Sequence, residues 1–191
     1  SAIYPNKEFL ENKLKKGERL TLYLGIDPTG ETLHLGHAIP LKKLSEFQKL
    51  GHNIILLIGD FTAMIGDPTD KNATRKQLTR KEVLNNLRNY KKQASKIISF
   101  SGENKASFKF NSKCLGKMKF EDVLNLASKM TVQQMLERDM FDKRIKEGKS
   151  VYLHEFLYPL MQGYDSVAMN VDGEVGGNDQ MFNMLCGRDL I

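Results

Sequence analysis

The chain has 191 residues, with 29 Lys and Arg against 23 Asp and Glu for a net charge of +6, which suits one domain, or one with an insertion, able to bury a core without disulfides. Apolar residues at 40% and charged residues at 27% exclude a disordered chain, and the aliphatic run 54–58 is far too short to span a bilayer. Residues 1–5 lack the basic and apolar regions of a signal peptide, and Cys114 and Cys186 make neither a disulfide framework nor a zinc site, so a reducing cytoplasm is the expected compartment.

Residues 1–17 read as a short amphipathic helix. Residues 20–26, Leu-Thr-Leu-Tyr-Leu-Gly-Ile, read as a strand stopped by Asp27-Pro28-Thr29-Gly30. From about Gly36 a helix follows with Ile39, Leu41, Leu44, Phe47 and Leu50 on one side, closed by Gly51-His52. The unbroken Ile-Ile-Leu-Leu-Ile within 53–59 predicts a strand buried on both faces, as in a parallel sheet, and completes a βαβ unit. A polar loop covers 67–75. Thr79 with Glu82 three residues on has capping-box spacing, and Val83, Leu87, Tyr90, Ala94 and Ile97 continue that helix. Residues 107–110 predict a third strand, 119–148 a mostly helical stretch, 151–169 a helix, 171–175 a short strand and 179–190 the start of another helix. The alternation predicts an α/β fold, a Rossmann-like doubly wound parallel sheet, interrupted at about 110–150 by a mostly helical insertion. The basic runs 13–16, 91–92 and 143–149 read as solubilising faces and His52 and His154 as structural, while Met130, Met135 and Met140 read as filling core or a subunit interface.

Two stretches point to chemistry. His34-Leu35-Gly36-His37 sits just past the first strand at the mouth of its helix. Free N–H groups and the positive dipole end favour an anion there, Gly36 admits a flat base or ribose to the backbone, and two imidazoles can hydrogen-bond phosphate oxygens. The tetrapeptide alone reads equally as a helix start where histidines cap and pack. Tyr158, Gln162 and Asp165 fall at i, i+4 and i+7, within roughly 60° of one another on a helix, with Leu153, Leu157, Leu160, Tyr164 and Val167 around them. A helix this apolar is buried, so the three polar groups need partners, and a small polar ligand supplies them. No G-x-G-x-x-G follows the first strand, which counts against a dinucleotide-binding dehydrogenase.

Residues 23–37, Tyr-Leu-Gly-Ile-Asp-Pro-Thr-Gly-Glu-Thr-Leu-His-Leu-Gly-His, closely resemble the signature of class I aminoacyl-tRNA synthetases of the bacterial tyrosyl type. Three further blocks, 61–68, 154–165 and 176–180, resemble that family in its order, and the likeness runs from about residue 7 to the end. It implies a catalytic region covering 1–191, without the family's lysine-rich loop and anticodon-binding part, and with the segment at about 110–150 resembling its dimer-forming part. It implies a tyrosine-tRNA ligase activity: tyrosine and ATP give tyrosyl-adenylate and pyrophosphate, and the adenylate acylates tRNA(Tyr). Partners are then tyrosine, ATP with Mg²⁺ as substrate, tRNA(Tyr) and a second copy, with no permanent cofactor, no protein metal site and no membrane.

Residue by residue, the likeness assigns Tyr158 and Gln162, with Asp67, to the α-amino group, and Asp165 and Tyr23 to the phenolic hydroxyl. Gly177, Asp179 and Gln180 go to the adenosine ribose and tyrosine. Thr29 and His34 go to the distal phosphates, His37 to the ribose and α-phosphate, and Gly25, Asp27, Gly36, Lys71 and Arg75 to ATP. A site built around a hydroxyl rejects the substrate that lacks it, and tyrosine-activating enzymes are the standard illustration of that rule. Ala63 and Asp70 stand where the family commonly has glycine, Cys114 where tryptophan is common, and Leu24 has no group for a ribose. Two rival readings are a tryptophanyl enzyme and a domain that holds tyrosine and ATP without useful turnover.

Overall fold

The computed structural model describes residues 2–66, 77–137 and 139–190; Asp67, Asp70, Lys71 and Arg75, and the side chain of Met140, lie outside them. Four parallel strands, β1 (Thr21–Ile26), β2 (Asn53–Ile58), β3 (Ser107–Phe110) and β4 (Gly173–Glu174), stand in the order β3-β2-β1-β4. Ten α-helices are described: α1 (Lys7–Lys15), α2 (Leu35–Lys49), α3 (Arg80–Asn86), α4 (Tyr90–Ala94), α5 (Ser112–Leu115), α6 (Phe120–Ala127), α7 (Val132–Leu136), α8 (Asp139–Lys146), α9 (Leu153–Met169) and α10 (Met181–Leu190). The chain winds outward through β1, β2 and β3, then returns past α9 to lay β4 against β1. That reversal opens a crevice at the carboxyl ends of β1 and β4, where ligands of doubly wound sheets bind.

The strand pattern decides which helix lies on which face. Leu22, Leu24 and Ile26 with Ile54, Leu56 and Ile58 meet Leu41 and Leu44 of α2 and Tyr90 and Ala94 of α4. The alternate residues Tyr23, Ile55 and Leu57 face Met169 at the end of α9 and Val171 just beyond it. The continuous aliphatic run of β2 is therefore buried on both faces. His52 is structural: its Nδ1 accepts the Leu20 N–H at 3.2 Å. Met135 is buried, and Met130 contacts Cys186.

Several elements differ from their sequence patterns. Ile39 and Leu50 are exposed, not core; Ile39 lies about 200° around the helix from Leu41, and Leu50 follows the last turn. Leu153 and Val167 of α9 are exposed as well. The helix after Thr79 keeps its capping box but breaks into α3, a 3-10 turn at Leu87–Asn89 and α4. Asn86 at the break gives its amide to the Pro28 carbonyl at 2.9 Å, a competition that makes Asn a weak helix former. The strand at 171–175 contracts to two residues, because Asp172 accepts the Thr21 N–H at 2.8 Å with its side chain. The last helix starts at Met181, after a 3-10 turn over Asn178–Gln180.

α9 and α10 pack with backbones in contact. A Cβ on Gly163 would lie 2.9 Å from the Gly187 nitrogen, and no side-chain rotation relieves that. Gly163→Ala must push α10 off α9, and urea unfolding should show a loss of about 1–3 kcal/mol, the scale of core overpacking; unchanged stability would contradict the close packing.

Candidate active site

A cleft of ≈ 990 Å³ opens at the carboxyl ends of β1 and β4. Its lining includes Tyr23, Gly25, Asp27, Thr29, His34, Gly36, His37, Tyr158, Gln162, Asp165, Gly177, Asp179 and Gln180. All the expected site residues within the described chain thus come together in one concavity, although 157 positions separate Tyr23 from Gln180 in sequence (180 − 23).

Its buried wall is organised by one amide. Asn111, at 1% exposure, accepts the Phe61 N–H through Oδ1 at 3.0 Å. Its Nδ2 must then face the other way, where it donates to Thr62 Oγ1 and to Asp165 Oδ2, each at 3.0 Å. The Thr62 hydroxyl donates to Asp27 Oδ1 at 2.7 Å, and the Tyr158 hydroxyl donates to Asp27 Oδ2 at 2.8 Å. Gly59 makes room for this: a Cβ there would sit 1.8 Å from Asp27 Oδ1. Both oxygens of Asp27 are engaged within the wall, so its charge acts beside Tyr158. Asp165 Oδ1 is buried with no hydrogen-bond partner. Burial, helped by the charges of Asp27, Glu174 and Asp60, raises the Asp165 pKa to about 8 against the single lowering bond from Asn111.

Glu174 is a site residue that the sequence patterns did not mark. It stands beside Tyr23 in the β1–β4 register. Its Oε1 accepts from Gln162 Nε2 at 2.9 Å, while Oε2 is buried without a hydrogen-bond partner, and burial raises its pKa to about 7. Tyr23 shares its hydroxyl hydrogen bond with Ser166 Oγ at 2.7 Å; burial, then the Glu174 charge, push its pKa well above 10. Asn111, Asn183 and Glu174 are lone polar residues in sequence, and only their contacts identify them.

The rim is built differently. His34 caps α2: its Nδ1 accepts the Gly36 N–H at 3.1 Å, and its own N–H donates to His37 Nδ1 at 3.2 Å. With both Nδ1 atoms accepting, the neutral rings carry their protons on Nε2. Burial and the neighbouring His34 lower the His37 pKa to about 4, so it is a neutral N–H donor at pH 7. The space above Gly36 is filled by the His34 ring, 2.9 Å from where a Cβ would stand. The loop from β1 to α2 is pinned from behind by α4 and the end of α3. The Tyr90 hydroxyl donates to the Gly30 carbonyl at 2.6 Å, and Gln93 donates to Glu31 O at 3.0 Å while accepting the Leu33 N–H at 2.8 Å. Asp179 is exposed. On the insertion side, buried Arg144 bonds Glu155 and the Ser150 carbonyl, tying α8 to the start of α9.

Residues 15–191 match the family described as class I tRNA synthetases (W and Y). The chain is 54% identical over 192 residues to the tyrosine–tRNA ligase of Carboxydothermus hydrogenoformans, covering 98% of this chain and 46% of that protein. It is 51% identical over 185 residues to that of Thermotoga maritima, covering 97% and 45%. It therefore spans about half the length of these curated relatives. Among solved structures it resembles the truncated mitochondrial tyrosyl-tRNA synthetase of Aspergillus nidulans, with a TM-score of 0.84 at 26% identity over 95% of this chain and 55% of that one. It also resembles the L-tyrosine complex of the Archaeoglobus fulgidus enzyme, with a TM-score of 0.71 at 27% identity over 96% and 54%.

The two buried carboxyls give the fold a pH dependence. With its pKa raised from 3.8 to about 8, Asp165 holds its proton more tightly folded than unfolded, and Glu174, raised to about 7, has the same sign. Their contribution is fully present below the unfolded pKa and is lost as pH rises through the folded one. The thermal midpoint of the unliganded chain should fall by on the order of 5 °C between pH 6.5 and pH 8.5, above the range in which the depressed His37 pKa of about 4 contributes with the opposite sign, and D165N should flatten that slope. A midpoint that rises over this window would contradict the assignment.

Proposed function

Because the chain belongs to the class I tRNA synthetase family that serves tryptophan and tyrosine, we propose that its cleft activates tyrosine with ATP and transfers the tyrosyl group to tRNA(Tyr). The observation that carries this reading is the unpartnered Asp165 Oδ1 at 3% residue exposure. A buried acceptor without a donor is costly, and the phenolic hydroxyl of tyrosine is a donor of the right kind, with Tyr23 on the neighbouring wall. Phenylalanine would leave the acceptor unpaired.

In this reading Gln162 and Tyr158, with Asp67, hold the α-ammonium. Tyr158 gives its proton to Asp27 and so turns oxygen lone pairs toward a cation. Gln180 sits beside the carboxylate and adenylate. ATP lies over Gly25, Gly177 and Asp179 with its phosphates toward Thr29, His34 and His37; the His34 ring, not a base or ribose as the sequence suggested, occupies the space at Gly36. Lys71 and Arg75 meet the pyrophosphate. The tyrosine carboxylate attacks the α-phosphorus, the bond to the β-phosphate oxygen breaks and pyrophosphate leaves. A terminal ribose hydroxyl of the tRNA then attacks the tyrosyl carbonyl and AMP leaves. Both steps rest on positioning and charge stabilisation. The uncharged Nε2–H of His37, with the His34 ring beside it, fits a phosphate whose charge grows during reaction.

Mg²⁺ enters this scheme with the triphosphate, as substrate; among the described residues no group of three or more His, Cys, Asp or Glu could hold a metal ion. The helical insertion supports a homodimer in the same scheme: Phe120 and Leu124 of α6 and Val132 of α7 are exposed apolar side chains on it. Cys114 and Cys186, as thiols, suit a cytoplasmic protein. No described helix is long and apolar enough to cross a membrane.

At pH 9, where Asp165 with its pKa of about 8 is ionised, Asp165→Asn should weaken tyrosine binding by about 1.5–3 kcal/mol, the scale of a hydrogen bond to a charged group, and leave phenylalanine binding nearly unchanged in calorimetry; equal losses for both would contradict the phenol assignment. His37→Ala should slow single-turnover adenylate formation by about 10²-fold, the effect of removing one transition-state donor, without altering tyrosine affinity. An unchanged rate with weakened tyrosine binding would place His37 elsewhere.

A further inference from the structure

A second buried amide lies beneath the cleft floor. Asn183 of α10 is fully buried at 0% exposure. Its Nδ2 donates to Gln162 Oε1 at 2.9 Å and to Gln180 Oε1 at 3.1 Å. Beyond it the hydrogen bonds run outward on both sides: Gln162 Nε2 donates to Glu174 Oε1 at 2.9 Å, and Gln180 Nε2 donates to Asp179 Oδ2 at 3.1 Å. The chain of groups is Glu174, Gln162, Asn183, Gln180, Asp179, with an acceptor-only carboxylate at each end and a two-proton donor at its centre.

That arrangement has one orientation. The Gln162 amide cannot turn its carbonyl to Glu174, because two acceptors would meet. At pH 8, above its pKa of about 7, Glu174 is mostly the acceptor-only carboxylate. Asn183 cannot turn either, because its oxygen would then face two carbonyls; it keeps its Oδ1 buried and without a partner instead. The close packing of Gly163 against Gly187 holds α10 at the distance that lets Asn183 reach Gln162.

We propose that Glu174 and Asn183 are positioning residues that lock the Gln162 amide with its carbonyl oxygen turned toward the amino-acid site, and so select a ligand carrying an ammonium group. This rests on the reading of the cleft as a tyrosine site. Gln162 Oε1 spends one lone pair on Asn183 and offers the other to the ammonium. Reversed, Gln162 would present an NH₂ group to a cation. Asn183 is fully buried and Glu174 bonds the Gln162 amide; in this proposal both act through Gln162. Gln180, held by the same donor, keeps its NH₂ group on the side of Asp179.

The test uses the 191-residue chain at pH 8 and three ligands that share the phenol. Tyrosine has both head groups, tyramine keeps only the ammonium, and 3-(4-hydroxyphenyl)propionate keeps only the carboxylate. E174Q/N183D moves the acceptor-only group from the end of the buried chain to its centre without changing net charge, so Gln162 keeps hydrogen-bond partners but must reverse. Calorimetry should show tyrosine and tyramine weakening by at least about tenfold, the scale of one charge-assisted hydrogen bond, with the propionate within about twofold of its wild-type affinity. Equal losses for all three, or unchanged binding of the two ammonium ligands, would overturn the proposal. Should that variant lack a cooperative thermal melt, E174Q/N183A removes both orienting groups and adds no buried charge. There the ammonium ligands should still weaken by about twofold or more, the cost of an amide free to take both orientations, while the propionate does not, and a parallel loss would overturn the proposal. A wild-type chain that binds none of the three would overturn the tyrosine reading itself, and this inference with it.

Discussion

A carboxyl group at 3% exposure with one oxygen unpaired, as Asp165 is, is the constraint on which the site depends. Left to itself it takes up a proton, and burial has moved its pKa accordingly. What keeps it usable is Asn111, whose amide cannot rotate because the Phe61 N–H occupies its oxygen. The same NH₂ group serves Thr62, and through Thr62 the orientation passes to Asp27 and then to Tyr158. Residues from the end of β1, the turn after β2, the end of β3 and the middle of α9 thus share one set of hydrogen-bond directions. Removing any member leaves a buried polar group unpaired, which costs more than the bond contributes.

The sheet topology puts these groups within reach. β4 returns to the side of β1 opposite β2, so Tyr23 and Glu174 stand side by side with α9 across them. A second buried amide, Asn183, repeats on α10 what Asn111 does at the end of β3. The two halves of the cleft are held differently. Its deep part is set by side chains that bond one another across long sequence separations. Its rim is a helix mouth whose two imidazoles are held by backbone N–H groups and whose loop is pinned from behind by Tyr90 and Gln93. Recognition of a small rigid ring at the deep end and of a longer, charged group at the rim suits that division.

Much of this was legible in the sequence because it is local. The aliphatic run of β2 announced a strand buried on both faces, the Thr79–Glu82 spacing announced a cap, and Tyr158, Gln162 and Asp165 formed a polar stripe on an apolar helix. Periodicity failed where a residue's partner is distant or its helix faces another way. Ile39 matched an apolar spacing yet points away from the sheet, because α2 packs on Leu41 and Leu44. Asn111, Asn183 and Glu174 carry no pattern: Asn111 meets its partners at separations of 49 to 54 residues, and an isolated Asn or Glu in sequence looks like surface. Tyr90 read as an apolar helix position, but its hydroxyl also fixes the loop that carries Thr29 and His34.

The account turns on what occupies Asp165. A crystal structure of the 191-residue chain with tyrosine measures this directly. The phenolic oxygen should lie within about 2.5–3.0 Å of Asp165 Oδ1, hydrogen-bond distance for two oxygens, with the Asn111 bond to Oδ2 intact and the ammonium on Gln162 Oε1. Tyrosine bound with its ring outside the deep pocket, or with Asp165 Oδ1 still unpartnered, would contradict the account.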